Sequence, residues 1–389
     1  MDFDRLITRR GKGSLKWDAT GLVSGIDGED VLPMWVADTD FQIAPVIRDA
    51  LVEMAEYGVT GYFSDLHKVR EAVTWWMGTR HDWHIDPSWV LAAHGLGNAL
   101  AVIIDTLTEK GDGVVLFTPV YHSFAERVRV AERRVVEAPF AVTDGRMTFD
   151  LERAATLMDG SERLLILCSP QNPGGRVWSQ AELQSVAGFA RAHDLYVIAD
   201  EIHHDLVFPG RTFLPFAKVT DITDRLVTIT APSKTFNTAG LRYGNMIVED
   251  AEVRAALQKA LQGQSIQPNM AGVRACEAAY SPEGAKWADA QVAYLDANRR
   301  AFDAGVNAIP GVQSMPLEAT YLAWVDFSRT GMDDAEITAR IENRARIVTN
   351  KGPTFGSGGE GYRRFNLGTQ RARVDEAIAR LQTAFSDLQ

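Results

Sequence analysis

Lys234 stands in Ala231-Pro232-Ser233-Lys234-Thr235-Phe236-Asn237-Thr238-Ala239-Gly240-Leu241-Arg242-Tyr243-Gly244, just past the apolar, β-branched run Leu226-Val227-Thr228-Ile229-Thr230. A strand end is a rigid mount for a reactive amine. Apolar surroundings disfavour the ammonium form and leave free amine to attack a carbonyl. Other reactive types also follow apolar runs: Gly95-Leu96-Gly97, Tyr121, Asn172-Pro173 and Asp200-x-x-His203. A glycine turn that opens a helix offers free backbone N–H groups to a phosphate. Taken singly, each has a plain structural reading. Lys234 would be a surface lysine in a polar turn, Asp200 an acid at a helix N-terminus and His203 a packed histidine. Asn172-Pro173 would be a turn, Tyr121 a core aromatic and Arg242 half of a surface ion pair.

Placing these groups together requires a sheet. Apolar runs occur at Val90–Ala93, Val114–Phe117, Val135–Ala138, Leu164–Cys168, Tyr196–Ala199, Leu226–Ile229 and Asn245–Val248. Stretches with helical periodicity, Asn98–Leu107, Tyr121–Ala131 and Ala181–His193, lie between them. The pattern predicts an α/β fold with a buried, mainly parallel sheet of about seven strands. Ligands in such sheets bind beyond the carboxyl ends of the strands, where the reactive residues fall.

Upstream, Leu32-Pro33-Met34-Trp35-Val36-Ala37-Asp38-Thr39-Asp40-Phe41 reads as a strand and turn packed on the core. A helix from Ala44 to Tyr57, an exposed turn ending in Tyr62 and a helix from Val69 to His81 follow. Downstream, a long connecting helix over Ser281–Asn307 leads to strands at Tyr321–Phe327 and Tyr362–Leu367. Helices at Asp333–Arg344 and Arg371–Phe385 complete a small α+β domain. The expected division is residues 1–45 joining the small domain, 46–283 as the large domain and 284–389 as the small one.

With 40 basic and 51 acidic residues the net charge is -11, which argues against a nucleic-acid or anionic-membrane surface. The two cysteines, Cys168 and Cys276, form neither a disulfide framework nor a Cys-x-x-Cys metal pair, as expected in a reducing cytosol. Met1 to Lys16 lacks an apolar signal core, and no apolar run approaches membrane-helix length. The expectation is a cytoplasmic protein. A metal site at His81-Asp82-Trp83-His84 lacks an evident third ligand, and none is expected.

Gly95-Leu96-Gly97, Tyr121, Asn172-Pro173, Asp200-x-x-His203 and Lys234-x7-Arg242, in this order, resemble the fold-type I pyridoxal-phosphate enzymes of the class I/II aminotransferase superfamily. Leu32–Asp38, Arg80-His81-x-Trp83, Asp200-Glu201-Ile202-His203 and Ser233–Asn237 are most similar to its cystathionine β-lyase (MalY/PatB) branch. The resemblance implies pyridoxal 5'-phosphate, with Lys234 attached to its aldehyde and Asp200 beside the pyridine nitrogen. It implies Asn172 and His203 at the phenolic oxygen and Tyr121 against the ring face. Gly95, Leu96, Gly97, Ser233 and Arg242 would hold the phosphate, joined by Tyr62 from a second subunit of a homodimer. Gly361-Tyr362-Arg363-Arg364-Phe365-Asn366 resembles the carboxylate-binding strand. Alternation lets only one arginine face the site, and Arg364 is the expected one.

The implied activity is carbon–sulfur β-elimination from L-cystathionine or related cysteine S-conjugates. An amino-acid aminotransferase is the alternative, because Arg242 stands where the lyase branch commonly lacks arginine. Leu367-Gly368-Thr369-Gln370-Arg371 also departs from the branch's proline-containing version. A non-catalytic cofactor-binding regulator would keep Lys234 without turnover. A nicotinamide oxidoreductase would need the fuller glycine pattern that Gly95-Leu96-Gly97 lacks, and gives Lys234 no role.

Overall fold

The computed structural model describes residues 1–62 and 66–388. Its larger sheet comprises β1 (Val90–Ala93), β2 (Gly113–Thr118), β3 (Arg134–Pro139), β4 (Glu162–Cys168), β5 (Tyr196–Asp200), β6 (Leu226–Thr230) and β7 (Gly244–Ile247). The spatial order is β1-β7-β6-β5-β4-β2-β3. Neighbours from β6 through β3 pair in parallel, and β7 runs antiparallel to both β1 and β6. β1 to β6 therefore end along one edge of the sheet, where β7 begins. That single reversal returns Arg242 to the edge bearing Lys234.

The central strands are apolar on both sides because both faces are covered. On one face, helices α3 (Leu96–Leu107) and α4 (Ser123–Val130) bury Leu100, Ile103, Phe124 and Val128 against Val114, Ile166 and Val227. On the other, α5 (Gln180–Ala192) buries Leu183, Val186 and Phe189 against Val115, Leu165 and Val197. Ser179 and Glu182 cap α5 reciprocally, fixing where it starts. A third cluster packs α1 (Pro45–Tyr57) and α2 (His67–His81) against Phe236, Tyr243 and Trp287.

A smaller sheet pairs Leu322–Asp326 antiparallel with Tyr362–Asn366, flanked by the short edges Gln313–Ser314 and Asn350–Lys351. The long helix Pro282–Asn307 and the helix Arg371–Ala384 pack on it through Leu295, Phe302, Val374 and Leu381. Trp17, Leu32, Met34 and Phe41 enter this same core, while Phe3, Ile43 and Ala44 pack in the cluster around Trp76 and Phe236. The expected helix over Asp333–Arg344 is α-helical only to Thr338 and widens to a π-turn over Ala339–Arg344.

The stretch from Leu32 to Phe41 differs from its expected strand and turn. Only Leu32–Pro33 pairs, in parallel with Ile347–Val348, and the chain then leaves the sheet. The reason lies in its carbonyls, which side chains of both sheets take one after another, as described below. Among the described residues no helix is long and apolar enough to cross a membrane.

Candidate active site

The sheet edge opens on one cavity, lined by Gly95, Leu96, Gly97, Tyr121, Asn172, Asp200, His203, Ser233, Lys234 and Arg242. Two expected residues lie outside its lining. Tyr62 is fully exposed just beyond α1, while Arg364 is buried behind Asn172.

The Lys234 amine donates to the Ala37 carbonyl at 2.8 Å. Burial and the positive charge of Arg364 push its pKa down to about 8, against the pull of Asp38 and Asp200. A useful fraction of the amine is thus neutral near physiological pH. Asp200 closes β5, in register with Cys168 of β4 and Ile229 of β6, and accepts the Ile202 N–H at 3.1 Å. Burial pushes this carboxyl up to about 6, although the Ile202 N–H, Lys234 and His204 hold it down. It is therefore an ionised, desolvated acid at neutral pH, suited to a cationic partner.

His203 is buried, and burial together with the charges of Lys234 and Arg364 keeps it neutral, far below its ordinary value. Arg364 donates to Asn172 Oδ1 at 2.9 Å, the Trp35 carbonyl at 2.8 Å and Asn350 Oδ1 at 2.6 Å. Its guanidinium lies 4.8 Å from the centre of the Phe355 ring. Burial lowers its pKa to about 10, so it stays cationic at neutral pH. Because the Asn172 carbonyl oxygen is taken by Arg364, its NH2 is left for the cavity. Arg363 points through the opposite face of its strand to Asp334 at 2.7 Å and the Thr338 hydroxyl at 2.9 Å.

The stretch 35–41 roofs the cavity through Ala37, its one lining residue. The Ala37 carbonyl accepts from Tyr321 Oη at 3.0 Å as well as from Lys234. Asn366 Nδ2 donates to the Asp38 carbonyl at 2.7 Å and also to that of Val36. Arg9 grips the Asp38 carboxylate with both terminal nitrogens, at 2.9 and 2.8 Å.

The metal question has a different answer in space. His84 faces solvent beside Asp82, but His81 turns inward and meets His204 and Asp205, a third-ligand arrangement the linear spacing concealed. The Asp205 carboxylate bonds His81 at 3.1 Å, Trp76 Nε1 at 3.0 Å and the Thr235 hydroxyl at 2.9 Å. Both carboxylate oxygens are thus engaged, His204 Nε2 lies 3.2 Å from one of them, and the cluster reads as a buried polar network that braces the turn carrying Lys234.

The donor set can be tested against pyridoxal 5'-phosphate. The lining holds one carboxylate, Asp200, against the cations Arg127, Lys234 and Arg242, inside a chain of net charge -11. His203 Nδ1 and Arg364 Nε are buried without hydrogen-bond partners. An anion at the glycine end, an aldehyde within reach of the amine and a ring nitrogen beside Asp200 would match these groups. The residues fit. Sequence reasoning missed Ala37, Ser123, Arg127 and Tyr321. Arg127 left a signal, since it lies one helical turn beyond Ser123 on the helix that follows Tyr121.

A family model described as aminotransferase class I and II matches residues 30–381. The chain is 38% identical to cystathionine beta-lyase PatB of Bacillus subtilis (strain 168), covering 99% of this chain and 100% of that protein. Cystalysin from Treponema denticola, whose structure contains pyridoxal 5'-phosphate, superposes with a TM-score of 0.94 at 34% identity, covering 100% of this chain and 99% of that one. The pyridoxal-phosphate-bound C-S lyase from Staphylococcus hominis superposes with a TM-score of 0.90 at 26% identity, covering 99% and 98%. A family model matched over most of the length, on a sheet edge that gathers the reactive residues into one cavity, places the chain in the class I and II aminotransferase family.

Proposed function

We propose that this protein is a pyridoxal-phosphate-dependent carbon–sulfur β-lyase that converts L-cystathionine or a related cysteine thioether, with water, to a thiol, pyruvate and ammonia. The observation that carries the reading is the convergence of Lys234, Asp200 and Asn172 on one cavity, with Arg364 bonded to Asn172 from behind. Similarity to cystathionine beta-lyase PatB and to the C-S lyase structure from Staphylococcus hominis supports the reaction class.

Bound pyridoxal 5'-phosphate supplies an aldehyde for the substrate amine and a protonated pyridine ring that takes up electrons from Cα. The chain's residues do the rest. Gly95, Leu96, Gly97, Ser233 and Arg242 would hold the phosphate, and Tyr121 would lie against the ring. Asp200 keeps a negative charge where the ring nitrogen must stay protonated. Asn172 and His203 give the phenolic oxygen neutral donors. Arg364 binds the substrate carboxylate and so turns the Cα–H bond toward Lys234. The Lys234 amine removes that proton as general base. The Cβ–S bond then breaks with its electron pair on sulfur, and protonation gives the thiol.

The working form is a homodimer in which Tyr62 of one subunit reaches the phosphate of the other. Exposed Val52, Tyr57, Val59 and Tyr62 on and after α1 give the apolar surface such pairing would cover. Cytoplasmic residence suits the two free, buried cysteines.

Steady-state assays of the holoenzyme with L-cystathionine and S-alkyl cysteines should release pyruvate and thiol in equal amounts. Lys234→Ala should abolish both. Keto acid formed from the whole side chain, without thiol, would favour an aminotransferase, a reading that Arg242 keeps alive. No product from any thioether would refute the lyase.

A further inference from the structure

Each glycine of Gly95-Leu96-Gly97 faces an arginine. A Cβ on Gly95 would lie 3.9 Å from Arg242 Cδ, and one on Gly97 would lie 2.5 Å from Arg127 Nη2. The second approach leaves no room for a Cβ while the Arg127 guanidinium stands there, so glycine at residue 97 lets that guanidinium lie against the turn without shifting. Arg127 lies on α4 one turn after Ser123 and Phe124, and all three line the cavity. Arg129, two residues on, turns outward toward Glu137. Arg127 has no such partner: its Nε is buried without an acceptor, and among the described residues no carboxylate pairs with it or with Arg242. A guanidinium packed beside open helix N–H groups, with no counter-charge, is arranged for an anion.

We propose that Arg127 is a second cationic ligand of the cofactor phosphate, set on the Gly97 side of the turn as Arg242 is set on the Gly95 side. A phosphate monoester carries close to two negative charges at neutral pH, and the two guanidiniums match them. This rests on the cofactor reading above and adds to it a residue that discriminates the phosphorylated cofactor from its unphosphorylated form.

The test is titration of the apoprotein with pyridoxal 5'-phosphate and, separately, with pyridoxal, followed by absorbance. Arg127→Gln should raise the Kd for pyridoxal 5'-phosphate at least about tenfold, the loss of one charged hydrogen-bonding group. Its Kd for pyridoxal should stay within about twofold of wild type, and Arg127→Lys should fall between. Inorganic phosphate should raise the Tm of wild-type apoprotein more than that of Arg127→Gln. Unchanged affinity for pyridoxal 5'-phosphate in Arg127→Gln would overturn the proposal and leave the cofactor reading standing. Equal losses for both ligands would assign Arg127 to folding and overturn it too. Wild-type apoprotein that binds neither ligand would remove the cofactor reading and this proposal with it.

Discussion

Glu201 follows Asp200 directly but turns away from the cavity and accepts the Phe216 N–H at 2.7 Å. Burial pushes its carboxyl up to about 8 from an ordinary 4.5. A folded value above the unfolded one means that the contribution to stability is complete below the unfolded value and is lost as pH rises through the folded one. Between those limits wild type carries a growing penalty that an amide would not. Glu201→Gln keeps the acceptor for Phe216 and should gain on wild type from acidic to mildly basic pH, by on the order of a few kcal/mol. Urea unfolding of both apoproteins at about pH 4.5 and about pH 8.5 checks this, and a pH-independent difference would contradict it. Asp200, raised to about 6, works in the same direction, but a cationic ring nitrogen would relieve it. The place of Lys234 and Asp200 at the cavity was legible in the sequence because a strand end and a polar residue make a readable pair. Glu201 gave no such signal, since its orientation depends on a loop more than ten residues away.

The lysine turn and the roof form one unit. Thr235 braces Asp205, Phe236 fills the cluster around Trp76 and Trp287, and Asn237 staples the roof. Asn237 Nδ2 donates to the Thr39 and Phe41 carbonyls at 2.9 and 3.0 Å, and its Oδ1 accepts the Thr39 N–H at 3.1 Å. Its φ of 57° lies in the left-handed region that asparagine tolerates better than most residues. Asn237→Ala should therefore cost about 2–4 kcal/mol, from lost hydrogen bonds and backbone strain together. It should also loosen the roof, seen as faster amide exchange at residues 35–41 than the global loss of stability explains. Uniformly faster exchange across the large sheet would contradict this. The sequence marked both segments as belonging together only through resemblance. Nothing in the alternation of Leu32–Phe41 tells that its carbonyls serve as acceptors for distant side chains, because partners supplied nearly two hundred residues later leave no local period.

For the molecule as a whole, the seven runs and their helical crossovers made the larger sheet readable, since buried parallel strands are continuous apolar segments bounded by turns. The antiparallel course of β7 was not readable, as direction depends on the connection rather than on composition. Assembly can be tested through the sites. If Tyr62 acts across an interface, subunits carrying Tyr62→Ala and subunits carrying Lys234→Ala should complement each other. Their hybrid dimer holds one site with both residues intact, so mixing two weak or inactive homodimers should restore up to roughly half the wild-type activity per hybrid. A mixture no more active than its parts would confine Tyr62 to its own subunit or to no role. One earlier contact ties these scales together. The Lys234 amine fastens the Ala37 carbonyl only while it has a hydrogen to donate, and Ala37 belongs to a segment rooted in the smaller sheet. If the amine gives up its hydrogens to chemistry, that tie slackens at Ala37: Tyr321, itself in the smaller sheet's core, holds the carbonyl on its own side, and the Asn237 bonds to Thr39 and Phe41 remain to join the two parts.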